Sequence, residues 1–420
     1  MASTTPLLIK SLLVHGLSVL VLLISSASVV NAARPAPIVE WNITSFRPNA
    51  SVKTSKLAST NSRGRQTWSA KGSCSIRRNT LRVKSEGTCT VTLRLGADKK
   101  FSARTFVRKF KITTVVSVIV YDPYAGTTAG VPATGTKSLS QVVTSDGRTR
   151  RYRTYVPTNL PSGQLPLLIA LHGGLGTSEQ FEANSGFDNL AEANKFVVAY
   201  PDGIGSQSDG TGFQTWNGGY CCGPAQTEAV DDVAFIGRLI DTLVTQLPID
   251  PKRVFIAGHS NGGILAYRLA CELSEKIAAI GLQAGSNVVH GCAPSRAVAV
   301  LHIHGSADTN VPIGGGRGTG LSTTLFVSAQ AAVDAMTAAN RCSTSYQPSK
   351  SVSDSNVTAK TWTCIGTDIQ VRLVTVSTAT HAWMGHAAQS QSSLTYVGTP
   401  YLNFDSSRAI WSFFASHSRS

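Results

Sequence analysis

From Arg148 to the end of the chain, short apolar segments alternate with longer segments of helical periodicity. Runs such as Pro166–Leu171 and Val254–Ala257 place Leu, Ile, Val or Ala at most consecutive positions, which is typical of strands buried on both faces. This alternation predicts the α/β class, with a mostly parallel sheet and helices on both faces. Further predicted strands are Arg151–Val156, Phe196–Tyr200, Ile277–Leu282, Ala297–His304 and Val371–Ser377, and predicted helical segments are Ser178–Lys195, Ala229–Leu247, Asn261–Leu273 and Leu321–Asn340.

One predicted strand runs into a helix through the sequence Gly258-His-Ser260-Asn-Gly262, a G-x-S-x-G motif. A serine on such a tight turn exposes its hydroxyl, and the flanking glycines remove side chains that would clash there. The N-terminus of the following helix also favours developing negative charge. An ordinary glycine-rich turn is the alternative, but the motif falls at the predicted strand–turn–helix junction. We therefore expect Ser260 to be a nucleophile.

A serine nucleophile needs a base and an acid, which follow it along the chain in sites of this kind. Six carboxylates lie between Ser260 and His381, and of these only Asp308 comes just past the end of a buried strand. That edge of an open α/β sheet is where ligand sites form. We expect Asp308 as the acid and His381 as the base, with His386, farther along the same loop, as an alternative base.

The tetrahedral oxyanion of an acyl transfer needs two N–H donors. One should be the amide of Asn261, directly after the nucleophile. The other should come from the turn His172-Gly-Gly174-Leu175 after the second strand. Gly174 is the expected donor and Leu175 stays open, because the sequence does not determine which amide points inward.

Four aromatic side chains near these motifs have two interpretations each. Trp216 and Trp383 are candidate walls for an acyl group or a sugar, although core packing explains them equally well. His302 and His304 form an H-x-H pair on one face of a strand, a pattern found in metal sites. Because no third ligand follows nearby in the sequence, we expect packing rather than a metal.

The positive charge of the chain lies almost entirely in its N-terminal part. The net charge is +15, and residues 34–111 alone contain 18 Lys and Arg against three acidic residues. Residues 34–114 show alternating segments with Gly and Asn turns, which predict a small β-sandwich module. The piece around Cys74 and Cys89 resembles the immunoglobulin-like repeats of secreted bacterial proteins, and this resemblance implies a Cys74–Cys89 disulfide.

Two functions fit this basic module. It is either a spacer with a soluble basic face or an anchor to an anionic polymer such as pectin, teichoic acid or nucleic acid, since clustered Lys and Arg attract polyanions. The segment 115–147 is rich in Gly, Thr, Ser and Val and is predicted to be a linker with one strand at most.

Residues 1–32 have the pattern of a secretory signal peptide. Lys10 precedes an apolar core from about Leu12 to Ile24, and Val30-Asn-Ala32 is an acceptable cleavage site. The core is short of the ~20 residues that span a bilayer. We expect cleavage after Ala32 and an extracellular protein, in which the eight cysteines, an even number, form disulfides.

Six of these cysteines lie in the α/β part of the chain. Cys342 and Cys364 flank one insertion and are expected to pair. The remaining four would then join the Trp216 segment to the elements after the nucleophile, with Cys221 and Cys222 bonded to Cys271 and Cys292.

Taken in order, several motifs from Arg148 onwards resemble the polyhydroxybutyrate depolymerase/feruloyl esterase family. These motifs are Leu171-His-Gly-Gly, Tyr200-Pro-Asp-Gly, Trp216-Asn-Gly-Gly-Tyr-Cys-Cys-Gly, Gly258-His-Ser-Asn-Gly-Gly, His304-Gly-Ser-Ala-Asp and His381-Ala-Trp. The resemblance implies a secreted serine esterase of the α/β-hydrolase fold without metal or cofactor, and it places the triad at Ser260, Asp308 and His381. Family members often have Pro-Gly after the His-x-Trp, where this chain has Met384-Gly385.

The resemblance leaves the substrate open. A feruloyl ester on plant cell-wall polysaccharide is the first expectation, followed by acetylated xylan, with poly(3-hydroxybutyrate) or its oligomers as the main alternative polymer. A non-catalytic surface-binding protein is the alternative of another class, and the complete triad argues against it.

Overall fold

The computed structural model describes residues 34–43, 49–85, 87–112, 119–207, 210–287, 289, 291–320, 322, 324–387 and 390–419, without the side chains of residues 119 and 391–393. The predicted signal peptide, residues 1–32, lies outside the described residues. The chain divides into two compact units, Met1–Val115 and Val116–Ser420.

The described part of the first unit consists of short antiparallel strands. They are β1 (Val39–Trp41), β2 (Ser51–Lys53), β3 (Ala58–Thr60), β4 (Gln66–Gly72), β5 (Cys74–Arg77), β6 (Thr80–Val83), β7 (Gly87–Leu95) and β8 (Arg104–Ile112). Two three-stranded sheets have the orders β2-β6-β5 and β4-β7-β8, and β1 pairs with β3. From Cys89 onwards every second side chain of β7 is buried, and Cys89 and Val91 belong to an apolar cluster with Leu57, Leu81 and Phe110 that contains the Cys74–Cys89 disulfide. The immunoglobulin-like assignment of this unit stays a prediction.

The second unit is built on an eleven-stranded sheet. Its strands are β9 (Ile119–Tyr121), β10 (Thr136–Val143), β11 (Thr149–Val156), β12 (Leu165–Leu171), β13 (Val197–Pro201), β14 (Ile249–His259), β15 (Ala279–Gln283), β16 (Ala299–Gly305), β19 (Gln347–Ser351), β20 (Val357–Thr363) and β21 (Gln370–Val376), with a separate pair β17 (Gly316–Arg317) and β18 (Leu325–Phe326). The order across the sheet is β10-β11-β13-β12-β14-β15-β16-β21-β20-β19-β9. The six strands from β13 to β21 are mutually parallel, and antiparallel strands flank them on both sides.

Helices cover both faces of this sheet. They are α1 (Ser178–Ser185), α2 (Phe187–Asn194), α3 (Gly223–Thr227), α4 (Asp232–Gln246), α5 (Asn261–Glu272), α6 (Ala329–Ala339), α7 (Gln391–Val397) and α8 (Ser406–Ala415). The Cα of Gly281 in β15 faces Ile410 and Phe414 of α8, whereas Leu282 contacts Gly263 of α5. Because successive strand residues point to opposite faces, α5 and α8 lie on opposite sides of the sheet. The predicted α/β class is confirmed, and the fold is that of the α/β-hydrolases.

The sequence predicts that the segment 115–147 is a linker with one strand at most, but the structure shows more. It contributes two strands to the sheet, β10 at one edge and β9 at the other. Most side chains of β10 are exposed, so its composition is as polar as that of a loop. Its position comes instead from eight residue pairs of antiparallel register with β11, from Thr136–Val156 to Val143–Thr149. Within the described residues, none of the helices is long and apolar enough to cross a bilayer.

Candidate active site

The turn between β14 and α5 carries Ser260 in a backbone conformation that few residues adopt, with φ 52° and ψ −116°. Tight packing imposes this conformation. A Cβ on Gly258 would lie 2.4 Å from the carbonyl oxygen of Gly262, and one on Gly262 would lie 2.5 Å from the carbonyl oxygens of Leu171 and His172. Both glycines are therefore required by close backbone contacts, and the resulting turn holds the Ser260 side chain at the carboxyl edge of the sheet.

The structure brings Ser260 together with the predicted acid and base. The Nε2 atom of His381 lies 2.8 Å from Ser260 Oγ, and its Nδ1 atom lies 2.8 Å from Asp308 Oδ2. Asp308 lies in the turn after β16 and His381 in the loop after β21, two neighbouring parallel strands. The three side chains thus form one hydrogen-bonded chain at the carboxyl ends of β14, β16 and β21.

Several donors converge on the carboxylate of Asp308. Its Oδ1 atom accepts hydrogen bonds from the backbone N–H groups of Asn310 and Val311, at 2.9 and 3.0 Å. Burial alone would raise the pKa of Asp308, but hydrogen bonds from His304 and His381 outweigh it and hold the pKa below its ordinary value. Asp308 therefore stays ionised and can stabilise a positive charge on His381.

The alternative base, His386, lies elsewhere. Its ring is packed against Gly186, and its Nε2 atom is 3.6 Å from Asp405 Oδ1. The hydrogen bond to Ser260 Oγ is made by His381, so the geometry favours His381 over His386.

Backbone amides next to the nucleophile differ in their hydrogen bonds. The N–H of Leu175 donates to the carbonyl of Gln214 at 2.7 Å, so it is already used. The amides of Gly174 and Asn261 have no hydrogen-bond partner within the described part of the chain. The Cβ of Asn261 lies 3.4 Å from where a Cβ of Gly174 would be, which places the two residues side by side. This arrangement favours Gly174 over Leu175 as the partner of Asn261.

The side chain of Asn261 has a second task, which its sequence position does not reveal. Its Oδ1 accepts from the backbone N–H of Trp216 at 2.7 Å, and its Nδ2 donates to the Trp216 carbonyl at 3.0 Å. The indole N–H of Trp216 donates to the carbonyl of His172 at 3.0 Å. These bonds tie the Trp216 segment to the two turns that carry Gly174 and Ser260.

Of the two interpretations of Trp216, core packing fits the structure and a substrate wall does not. Its side chain is fully buried, which leaves a substrate no surface to contact, and its role is to hold the neighbouring turns. Trp383 is also packed: its ring contacts Phe181 and His259 edge-on, and its N–H donates to Ser407 Oγ at 2.9 Å. With 7% of Trp383 exposed, packing accounts for most of its surface.

His259, the residue before Ser260, contributes a contact to the site that the G-x-S-x-G motif does not predict. Its Nε2 atom lies 2.8 Å from the carbonyl oxygen of His381, and this contact requires an N–H donated by the ring. Burial, together with the nearby His381, lowers the pKa of His259 to about 3, so the ring is neutral at pH 7. The strand that leads to Ser260 is thus hydrogen-bonded directly to the backbone of His381. A histidine beside a motif serine is the only signal of this in the sequence.

The disulfides differ from the predicted set at one point. Cys74–Cys89 and Cys342–Cys364 are paired as predicted. Cys271, near the end of α5, pairs with Cys292 at a Cα–Cα distance of 5.3 Å, and Cys221 pairs with its neighbour Cys222. The predicted bonds from Cys221 and Cys222 to Cys271 and Cys292 are wrong, because Cys271 and Cys292 bond each other. Cys221 instead packs against Ile264, Val311 and Phe326.

Comparison with known proteins shows what this chain is similar to. Residues 150–314 match the family model described as "Esterase PHB depolymerase". The chain is 35% identical over 156 residues to "Feruloyl esterase B" of Piromyces equi, covering 36% of this chain and 27% of that protein. It is 31% identical over 172 residues to "Bifunctional acetylxylan esterase/xylanase XynS20E" of Neocallimastix patriciarum, covering 41% and 23%. These matches support the esterase family that the motifs resemble.

Two further matches have lower identity. The "Poly(3-hydroxyalkanoate) depolymerase C" of Paucimonas lemoignei is 27% identical over 147 residues, covering 35% of this chain and 34% of that protein. The solved structure "Acetyl xylan esterase from Aspergillus awamori" has a TM-score of 0.41 and 18% identity, covering 57% of this chain and 94% of that one. The chain thus spans only about a quarter to a third of the length of the three curated relatives named here.

Proposed function

We propose that this protein is a secreted serine carboxylic-ester hydrolase of the feruloyl esterase type, acting on esters of plant cell-wall polysaccharides. The observation that carries the proposal is the hydrogen-bonded chain from Ser260 Oγ through His381 to Asp308, with both contacts at 2.8 Å. The names of the relatives, which include feruloyl and acetylxylan esterases, support the reaction class.

The proposed mechanism uses an acyl-enzyme. Ser260 Oγ attacks the ester carbonyl while His381 Nε2 takes its proton, and Asp308 holds the Nδ1–H tautomer and stabilises the imidazolium. The amides of Gly174 and Asn261 stabilise the oxyanion, each by roughly 3–4 kcal/mol. The ester C–O bond then breaks and the leaving alkoxide takes the proton from His381. Water, deprotonated by His381, attacks the acyl-enzyme and releases the acid and free Ser260.

A fluorophosphonate probe tests the nucleophile. We expect the wild type to be labelled stoichiometrically and Ser260→Ala to be unlabelled, because phosphonylation requires an activated serine hydroxyl. Absence of labelling in the wild type would contradict the proposal and favour the non-catalytic, surface-binding alternative.

Three substrates measured side by side test the substrate class. We expect methyl ferulate to give a higher kcat/KM than acetylated xylan or 3-hydroxybutyrate oligomers. Cleavage of the oligomers alone would overturn the feruloyl assignment in favour of a poly(3-hydroxybutyrate) depolymerase, and cleavage of acetylated xylan alone would favour an acetylxylan esterase.

For the first unit we propose a role as an anchor to an anionic polymer, carried by the outward face of the β4-β7-β8 sheet. Thr88, Thr90 and Thr92 point away from the buried side of β7, and the register places Lys71 and Lys109 on either side of Thr90, with Lys111 beside Thr88. The three lysines are exposed. With about 7 Å between alternate residues and about 10 Å across two strands, they form a flat cationic surface suited to a carboxylated polysaccharide.

Two triple variants test this surface with equal loss of charge. Lys71, Lys109 and Lys111 are changed to Gln in one, and the exposed Lys53, Arg77 and Arg82 of the β2-β6-β5 sheet in the other. We expect the first variant to weaken binding to polygalacturonate and to reduce the salt dependence of log K by about 2–3, and the second to have a small effect. Equal effects, or wild-type binding that ignores salt, would contradict the anchor and favour a spacer.

A further inference from the structure

A row of three buried polar side chains leads from the nucleophile helix to the triad. The hydroxyl of Tyr267 in α5 lies 2.7 Å from His302 Nδ1, and His302 Nε2 lies 2.8 Å from His304 Nδ1. His304 Nε2 lies 2.8 Å from the carbonyl oxygen of Val311. All three side chains are buried in the α/β core. These histidines are the H-x-H pair of β16, and the proposed mechanism does not use them.

The proton positions in this row follow from its end point. A carbonyl oxygen only accepts, so His304 Nε2 must carry the hydrogen that faces Val311. In a neutral ring His304 Nδ1 is then an acceptor, and His302 Nε2 must donate to it. His302 Nδ1 is left as an acceptor and takes the hydroxyl hydrogen of Tyr267. With both rings neutral, all three hydrogen bonds therefore donate in the same direction, from Tyr267 towards the turn after β16.

The end of the row contacts the acid of the triad. His304 Nε2 is 3.4 Å from Asp308 Oδ2, the same oxygen that lies 2.8 Å from His381 Nδ1. Val311 is held on both sides, because its carbonyl accepts from His304 while its N–H donates to Asp308 Oδ1. His304 thereby fixes both the turn that supplies an N–H to Asp308 and the surroundings of the oxygen that faces His381.

The row also connects two elements that must stay in register. Helix α5 begins directly after Ser260 and carries Tyr267 two turns farther on, whereas His302 and His304 belong to the strand that ends at Asp308. Polar groups in a dry core are costly unless each finds its partner, so a satisfied row of this kind specifies one arrangement of helix and strand.

We propose that Tyr267, His302 and His304 are positioning residues for the triad, which set the tautomer of His304 and so hold Asp308 in the orientation that bonds His381. The inference rests on the proposed function of Ser260, Asp308 and His381. It assigns the H-x-H pair to neither metal binding nor simple packing.

Tyr267→Phe is the mildest test, since it removes one hydroxyl and keeps the ring. The matched control is Tyr200→Phe, because the Tyr200 hydroxyl is equally buried in the same unit and bonds Asp188 at 2.7 Å. We expect Tyr267→Phe in the full chain to lower kcat on methyl ferulate about tenfold with KM within about twofold, as a misplaced acid affects the transition state more than binding. Tyr200→Phe should leave both constants near those of the wild type.

Two variants of His304 test whether an N–H donor at this position is enough to restore activity. Gln can place an N–H near the position of Nε2, whereas Leu cannot, so His304→Gln should retain more kcat than His304→Leu. A readout independent of turnover is the low-field proton resonance of His381 Nδ1–H, which we expect to shift in Tyr267→Phe and not in Tyr200→Phe.

A purely structural role would give a different result. If Tyr267→Phe lowers thermal stability as Tyr200→Phe does but leaves kcat and the His381 resonance unchanged, the proposal is overturned. It is also overturned if His304→Gln and His304→Leu lose activity equally while both remain folded. An inactive wild type whose His381 resonance still responds to Tyr267→Phe would refute the esterase function and support the positioning row.

Discussion

The two units of this protein place their charged groups in opposite ways. In the first unit Lys and Arg occupy exposed strand positions, residues 34–115 contain no histidine, and the core is a small apolar cluster around one disulfide. In the second unit titratable groups are also inside: Arg150 and Asp232 form a buried ion pair at 2.8 Å, His172, His302 and His304 are buried, and His259 is half-buried.

This difference follows from the size of the two cores. A large core can exclude water from polar groups and still supply each of them with several partners, so it can hold a proton at a chosen atom. A small sandwich cannot, and it can offer a partner only its surface charge. The comparison therefore predicts that the proposed ester hydrolysis and the proposed polymer binding can be separated by mutation.

The largest expected effect is the separation of activity from binding by Ser260→Ala. Removing the nucleophile should lower kcat/KM on methyl ferulate by at least about 10³-fold, while polygalacturonate affinity stays unchanged. Steady-state kinetics and a binding titration on the same preparation measure the two properties. Ser412→Ala, at a half-buried serine in α8 whose hydroxyl donates to the carbonyl of Ala125, serves as the control and should keep full activity. A variant that loses both properties together would break the comparison.

Acid should destabilise the second unit first. Burial lowers the pKa of His172 to about 4 and that of His259 to about 3, so between about pH 6.5 and 4 the unfolded chain binds protons that the folded chain does not. The free energy of unfolding therefore decreases as the pH is lowered, by at most about 3 kcal/mol per histidine at pH 4. The lowered pKa of Asp308 adds a loss in the same direction below about pH 4.

Scanning calorimetry of the full chain at several pH values checks this. The transition of the second unit should move to lower temperature from pH 6.5 to 4.5, while that of the first unit, whose residues 34–115 contain no histidine, should change little. Equal shifts of both transitions would show that buried histidines do not control acid stability.

The first unit should depend strongly on its disulfide. Replacing Cys74 and Cys89 by Ser removes a cross-link that closes a 15-residue separation, worth about 3 kcal/mol, from a unit with a small core. We expect its thermal transition to fall or disappear while kcat on methyl ferulate is retained. The pair Cys271–Cys292 is the control, because its similar separation of 21 residues lies within the larger core. Loss of activity in the Cys74/Cys89 variant would contradict the independence of the units.

The smallest expected effect concerns Asn261. Asn261→Ala keeps the backbone amide but removes both bonds to Trp216, which should lower kcat/KM about tenfold or somewhat more, since unpaired buried groups cost about 1–3 kcal/mol. Asn340 makes the same two-sided contact with Val298 away from the nucleophile, so Asn340→Ala is a matched control. Both variants should lose stability, and only Asn261→Ala should lose activity. Equal kinetics would show that the Trp216 segment does not position the site.

Sequence patterns predict the centre of the sheet better than its edges. Strands such as β12 and β16 are buried on both faces, so their apolar runs are unmistakable. The edge strand β10 and the second strand from the other edge, β19, have mostly polar, partly exposed side chains, and only their backbone pairing with neighbours defines them. For this reason the linker prediction for 115–147 fails where the central strands succeed.

The site follows the same division. Ser260, Asp308 and His381 were identifiable because each stands at a fixed place relative to a strand end. The contacts of His259 with the His381 carbonyl, and of Tyr267 with His302, depend on which elements become neighbours and leave no mark in the spacing. The pairing of Cys221 with Cys222 has a different origin, because two adjacent cysteines in a sequence do not indicate whether they bond each other or distant partners.

The two hydrogen bonds between the side chain of Asn261 and the backbone of Trp216 have a consequence for which parts of the neighbouring loop can be changed. Asn261 both follows Ser260 directly and attaches the loop that begins at Trp216. This loop can therefore vary in length and sequence beyond Trp216 while its attachment point is preserved. Changes beyond Trp216 would leave both hydrogen bonds, and so the attachment of this segment beside Ser260, intact. A loop transplanted from a related protein should therefore replace only residues after Trp216, so that Asn261 and Trp216 remain paired.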